Sequence, residues 1–254
     1  MNKSNQDQIN ATWRDAWVKE RGVSGKKILG SRLSVESYKV VKKYIPADVG
    51  SILEIGTGSG RFAVRFAQDF PKARVVATDI LEESLSEVRK LSSELGVGNV
   101  ETKQEDIFGL SFSDGSFDVV FCDAVIQHLP EYESAVKEMV RAVKPGGLLI
   151  VSVVNFWNPH TFNKFLLGKK YEYGFEKSFT RRELRDIFKK YGLSIAGEDG
   201  FYPAYGIARL KRRYRIFGPI SGIADKVVRL SDKVSNRFVS RYFGFEILIV
   251  GRKV

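Results

Sequence analysis

A single cysteine, two histidines and no long apolar run leave little room for several classes of protein. Cys122 alone cannot form an intrachain disulfide or a cysteine-rich metal site, and with only His128 and His160 beside it a bound metal is not expected. The longest nearly apolar stretch, Gly146 to Val154, is far short of the ~20 residues that cross a bilayer. The polar start MNKSNQDQIN has no signal-peptide core, so a cytoplasmic protein is expected. Proline is sparse and no low-complexity linker or internal repeat is present. The 254 residues, 43% hydrophobic and 28% charged, are therefore long and apolar enough for a substantial core.

What the chain has in excess is positive charge, and it is unevenly placed. Of the net +11, residues 1–203 contribute little, with 29 Lys/Arg against 27 Asp/Glu, while residues 204–254 hold 12 against 3. Within 204–241 lie Arg209, Lys211, Arg212, Arg213 and Arg215, followed by Ile220, Ile223, Ala224, Val227, Leu230, Val234 and Phe238 every three or four positions. That is the pattern of a basic amphipathic helix, which can lie on an anionic membrane surface or simply cover a site.

From Ser51 onward, short apolar runs alternate with amphipathic segments, the pattern of strand-helix units around a mostly parallel sheet. Strands are expected near Ser51 to Gly56, Ala73 to Asp79, Asn99 to Gln104, Phe117 to Asp123, Gly147 to Val154, Leu193 to Gly197 and Phe243 to Gly251. Helices are expected over Gly60 to Phe70, Leu81 to Leu95, Glu131 to Val143 and Arg181 to Tyr191, with Lys144-Pro145-Gly146-Gly147 as a helix stop and turn. The fold class that follows is α/β: a doubly wound, Rossmann-like sheet of seven strands, mostly parallel, with an antiparallel last strand. The expected organisation is one domain. A helical arm occupies 1–46, including Trp13, Trp17, Val40, Val41 and Ile45. A ligand-binding core fills 47–203, a basic helical insertion 204–241 and the final strand 242–254.

The strand Ser51-Ile-Leu-Glu-Ile runs into Gly56-Thr57-Gly58-Ser59-Gly60 and then a helix. Glycines serve where the backbone turns sharply and approaches a ligand, and a helix start offers free amide donors. The spacing disfavours a dinucleotide, because the position that should be Gly or Ala is Arg61, and no Gly-Lys-Ser/Thr follows to make a phosphate loop. Glu54 is a carboxylate in an apolar strand, which needs partners or a cationic ligand to offset its desolvation.

Five segments in order now resemble the class I S-adenosylmethionine-dependent methyltransferases. They are Glu54-Ile55-Gly56-Thr57-Gly58-Ser59-Gly60, the strand ending Thr78-Asp79, Glu105-Asp106-Ile107, the strand Phe117 to Asp123, and Lys144-Pro145-Gly146-Gly147. The resemblance implies S-adenosylmethionine as cofactor, with Asp79 on the ribose hydroxyls, Asp106 on the adenine amino group and Ile107 against the ring. It extends the cofactor-binding set to Glu54, Gly56, Thr57, Gly58, Gly60, Ile80 and Asp123. It also implies methyl transfer by in-line displacement. Where the acceptor must lose a proton, His128, a few residues beyond the fourth strand, is the candidate base, with helix packing as its alternative role; His160 is a weaker candidate. Cys122, flanked by Phe and Val, reads as packing.

The loop Asp123-Ala124-Val125-Ile126 lacks the Asn/Asp-Pro-Pro-Tyr of enzymes that methylate amide or exocyclic nitrogens. It looks like the small-molecule branch that includes quinone, sterol and sugar methyltransferases. The expected partner is therefore a small-molecule or lipid-linked acceptor, with an anionic membrane surface met through 204–241. An RNA acceptor, or a cofactor-binding regulatory subunit without catalysis, are the alternatives.

Overall fold

The structure, a computed structural model, describes residues 11, 25–168, 171, 174–207, 209, 222, 223, 226, 227, 230, 231 and 237–254. Trp13, Trp17, Lys211, Arg212, Arg213, Arg215, Ile220, Ala224 and Val234 lie outside the described residues, so the proposed amphipathic helix is only partly in view.

Apolar runs with β-branched residues form the strands. These are β1 (Ser51–Ile55), β2 (Arg74–Asp79), β3 (Val100–Gln104), β4 (Phe117–Asp123), β5 (Val143–Val154), β6 (Leu193–Phe201) and β7 (Glu246–Lys253). They make one sheet in the order β3-β2-β1-β4-β5-β7-β6, with β7 antiparallel to both neighbours and every other pairing parallel. β1 is buried along its whole length, as parallel strands covered on both faces must be. The helices are α1 (Gly25–Gly30), α2 (Arg32–Lys42), α3 (Ala63–Asp69), α4 (Glu82–Leu95), α5 (Tyr132–Ala142), α6 (Pro159–Leu167), α7 (Arg181–Lys190) and α8 (Phe238–Phe243). One core, around Val120, Met139 and Phe188, lies on one face of the sheet, and a second, around Phe62, Phe66 and Phe121, on the other.

Three expectations need correction. The Lys144 to Gly147 segment ends α5 as expected, yet it lies inside β5. Pairing there jumps from Phe117 with Val143 to Val119 with Leu148, so the extra residues bulge out and Gly146 takes a φ of 77°. β6 runs on to Phe201, because β7 pairs with it as far as Glu246. The last strand begins at Glu246 rather than at 242, because Phe238–Phe243 is helical.

Two features bring the chain's N-terminal part to the sheet edge. α2 buries Val40 and Val41, and Arg65 on α3 donates to the carbonyls of Ser34 and Leu29 at 2.6 Å each. This holds α1 over the C-terminal ends of the strands. Among the described residues, no helix is long and apolar enough to cross a membrane.

Candidate cofactor pocket and acceptor site

β1 and β4 are neighbours whose chains depart to opposite sides, β1 toward β2 and β4 toward β5. A crevice therefore opens at their C-terminal ends, the place where doubly wound sheets hold ligands. A cavity of about 340 Å³ lies there, within the range of small-ligand sites. Its walls include Glu54, Gly56, Thr57, Gly58, Asp79, Ile80, Asp106, Ile107, Asp123 and His128. Of the residues expected to bind the cofactor, all line the cavity except Gly60, and so does His128.

The turn after β1 is built by its glycines. Gly56, Gly58 and Gly60 have φ of 69°, 51° and 72°, a left-handed backbone that other residues adopt at a cost. Gly60 does a different job from the other two. A Cβ there would come within 2.9 Å of Val88 on α4, so this glycine lets the turn pack against that helix rather than facing the cavity. The turn is tied to the sheet by Thr57 N–H donating to the Thr78 carbonyl at 2.9 Å.

Asp79 closes β2. Its Oδ2 accepts from Gly58 N–H and its Oδ1 from Leu81 N–H, both at 3.0 Å. Burial pushes its carboxyl up, and those backbone donors pull back against it. Each oxygen keeps a further lone pair, so the group can still accept from a ligand. Asp106 is exposed at the cavity rim, with Oδ1 accepting from Phe108 N–H at 3.0 Å.

Beneath the turn is a buried charge cluster. Glu54 is 2% exposed and accepts from the Thr57 hydroxyl at 2.9 Å. Burial pushes its carboxyl up to about 8; the Thr57 hydrogen bond opposes this, Asp123 adds to it and Arg61 opposes it. Arg61, the residue that breaks the dinucleotide pattern, pairs with Asp123, whose other oxygen takes the Ser152 hydroxyl. Glu246, at the start of β7, is equally buried, and its Oε2 has no hydrogen-bond partner. Burial and then the Asp123 charge drive its carboxyl well above the usual range. Three carboxyl groups thus share one guanidinium. A cation bound beside them would favour their ionised form, so the site suits a cationic ligand.

This arrangement has a measurable consequence for stability. A group whose folded pKa is raised makes its full contribution below the unfolded value and loses it as pH rises through the folded one. The Glu54 contribution therefore declines between about pH 4.5 and about 8. Glu54→Gln is expected to melt with the wild type at pH 4 and above it at pH 8.5, without ligand. Melting curves that stay parallel across that range would remove Glu54 from the account.

At the other end of the cavity, His128 sits on a 3₁₀ turn (Ile126–His128) and is 4% exposed. Nδ1 lies 3.0 Å from the Phe175 carbonyl and so carries the proton. Nε2 lies 3.3 Å from the Gln127 amide nitrogen, which must donate because Gln127 Oε1 already accepts from Val154 N–H at 2.8 Å. The Glu176 carboxylate is 3.8 Å from the same Nε2. Burial lowers the imidazole's pKa, and Glu176 partly restores it. Glu176 is a hub: Tyr171 Oη donates to it at 2.8 Å, Lys164 Nζ at 3.0 Å, and His160 Nε2 stands 3.6 Å away. Burial raises its carboxyl, but the His160 ring, Lys164, His128 and Tyr171 together hold it down at about 2. His160 belongs to this network and does not line the cavity. Cys122 is fully buried and its thiol is pushed up by that burial, as a packing residue's would be.

Sequence reasoning missed Ile28, Arg61, Glu176 and Glu246. Ile28 comes from α1, which carries no motif. Glu246 offered the same signal as Glu54, a carboxylate in an apolar strand.

Comparison with known proteins gives a family match and a fold. Residues 52–147 match the family described as "Methyltransferase domain". The methyltransferase str3 of Strobilurus tenacellus is 31% identical over 159 residues, which is 61% of this chain and 54% of that protein. The demethylmenaquinone methyltransferase of Staphylococcus aureus is 27% identical over 155 residues, 59% of this chain and 61% of its own length. The chain thus spans between half and two thirds of these relatives. A SAM-dependent methyltransferase from Thermotoga maritima has the same fold, with a TM-score of 0.61 at 21% identity, covering 87% of this chain and 89% of that one. Residues 52–147 are thus a methyltransferase domain, set in a seven-stranded sheet with the fold of the S-adenosylmethionine-dependent methyltransferases.

Proposed function

We propose that this protein transfers the methyl group of S-adenosylmethionine to a small, apolar or lipid-linked acceptor. The observation that carries the reading is the cavity itself, where the glycine turn and the Asp79 carboxylate meet a buried cluster of three carboxyl groups around one guanidinium. When bound, the cofactor supplies an electrophilic methyl on a positively charged sulfur. Asp79 would hold the ribose hydroxyls, Asp106 and Ile107 the adenine, and the Gly56–Gly60 turn the remainder. Glu54 and Asp123, with Glu246 behind them, stabilise positive charge at the floor of the cavity. Closure by α1 through Ile28 excludes water, and the arm, core and basic segment act as one domain around the cavity.

His128 Nε2 is the atom proposed to take a proton from the acceptor. Protonated there, the ring would face the Glu176 carboxylate, so its contact with the Gln127 amide gives way to an ion pair. Support for the acceptor class comes from the cavity lining around His128, where Ala124, Val125 and Leu129 offer no charge, and from the demethylmenaquinone methyltransferase among the relatives. The RNA alternative rests on the basic cluster from Lys211 to Arg215, outside the described residues, and the cavity adds nothing to it.

The test is conversion of S-adenosylmethionine to S-adenosylhomocysteine with lipid extract, soluble metabolites and RNA supplied separately. Turnover with lipid extract or an apolar metabolite is expected. Turnover with RNA alone would replace the acceptor assignment, and cofactor binding without turnover on any fraction would favour a regulatory subunit.

A further inference from the structure

Helix α6 is built inside out. Asn158 caps it, accepting from His160 N–H at 3.0 Å, and Pro159 starts it. Its inward side is polar: His160 and Asn163 are buried, and Lys164 donates to Glu176 and Ser178. Its outward side is apolar. Phe162, Phe165 and Leu166 are 60%, 81% and 52% exposed and, three and four positions apart, share one face. In the turn before the helix, Phe156 and Trp157 stack edge to face at 5.2 Å, with Trp157 64% exposed. At 150–250 Å² per aromatic side chain, this patch is on the order of 500 Å², at the upper end of what a soluble monomer leaves uncovered.

The patch is joined to the basic segment. Asn158 Nδ2 donates to the Pro203 carbonyl at 3.0 Å and the Phe243 carbonyl at 2.9 Å, and Asn155 Nδ2 donates to the Tyr242 carbonyl at 2.9 Å. The two ends of 204–241, with its ten Lys/Arg against two Asp/Glu, therefore meet at the base of α6. Phe238, Tyr242 and Phe243 on α8 are also exposed there. The inward, polar side of the same helix borders the acceptor end of the cavity, since Lys164 donates to the Glu176 carbonyl, next to the Phe175 carbonyl that holds His128.

The geometry points to α6 and its preceding turn as a docking surface for an anionic lipid bilayer, with Trp157, Phe162, Phe165 and Leu166 at the headgroup-acyl boundary. Aromatic side chains favour that depth, and basic residues near the surface add attraction to anionic headgroups. A second copy of this chain fits less well, because pairing this face would bring two strongly basic segments together. RNA would use the charge but not the aliphatic and inserted aromatic groups. The inference deepens the proposed function, on which it rests only for what the bilayer delivers: an acceptor entering from lipid.

The experiment uses the 254-residue chain without cofactor or acceptor and vesicles of phosphatidylcholine, with or without phosphatidylglycerol. Co-sedimentation with the anionic vesicles is expected, persisting in part at high salt. Phe162→Ser/Phe165→Ser/Leu166→Ser should weaken it at least tenfold and make the remainder fully salt-sensitive, with melting temperature and S-adenosylmethionine binding unchanged. With Trp13→Phe and Trp17→Phe, Trp157 is the only tryptophan left, and its emission should shift to the blue and be quenched by brominated acyl chains. Absence of wild-type binding at low ionic strength overturns the proposal. So does equal binding by the triple variant, or a wild-type dimer that the triple variant turns into a monomer. Vesicle binding with no methyl transfer to any acceptor would instead count against the proposed function, and transfer to a soluble acceptor without vesicle binding against the docking surface alone.

Discussion

His128→Ala is expected to lower turnover about 100-fold while leaving S-adenosylmethionine affinity nearly intact, the size of effect a general base contributes. The ring is neutral in the resting protein, with its proton on Nδ1 toward Phe175 and its Nε2 lone pair toward Gln127. Because burial lowers its pKa from the usual 6.5, the base is already unprotonated at neutral pH. Turnover should therefore be flat near pH 7 and fall only as pH drops through that lowered value. The sign follows from a base having to be unprotonated to act. In His128→Ala this acid limb should vanish along with the rate. Glu176→Gln should move it to lower pH, since the imidazolium loses the carboxylate 3.8 Å away. A His128→Ala enzyme with near-normal turnover would return the ring to the role of a tie between the 3₁₀ turn and the segment before α7.

The part of the site that could be read from the sequence is the part the backbone dictates. Gly56 and Gly58 stand where φ is positive, and Asp79 and Asp123 end strands whose apolar runs are unmistakable. Such residues announce themselves because few alternatives fit. The acceptor side announced far less. Glu176 lies in a segment with no periodicity, and its importance arises only when Tyr171, Lys164, His160 and His128 converge on it. α6 was unreadable for the opposite reason. An amphipathic pattern is taken to turn its apolar side inward, whereas here His160 and Asn163 are inside and Phe162 and Phe165 outside. Glu246 carries the same signal as Glu54, a carboxylate beside the apolar Ile247, Leu248 and Ile249 whose desolvation needs an offset. Only the sheet order, which sets β7 beside β5, brings it toward Asp123.

Asp79→Ala is expected to weaken S-adenosylmethionine binding more than tenfold. A carboxylate that accepts hydrogen bonds from a ligand contributes on the order of 1.5 to 3 kcal/mol for each, and 1.4 kcal/mol is a factor of ten. Two effects must be separated, because Asp79 also accepts from Gly58 and Leu81 N–H and so braces the glycine turn. Asp79→Asn keeps one acceptor oxygen and should lie between the wild type and Ala. The sharper control is S-adenosylhomocysteine, which has the same ribose and lacks the sulfonium charge. If Asp79 acts on the ribose, titration calorimetry should find both ligands weakened by the same factor. Glu54→Gln should behave differently, weakening the charged ligand more than the neutral one, because a cation beside Glu54 favours its ionised form, which Gln cannot supply. Unchanged affinity in a folded Asp79→Ala protein would remove the ribose assignment. A loss confined to S-adenosylmethionine would instead make Asp79 one more member of the electrostatic cluster.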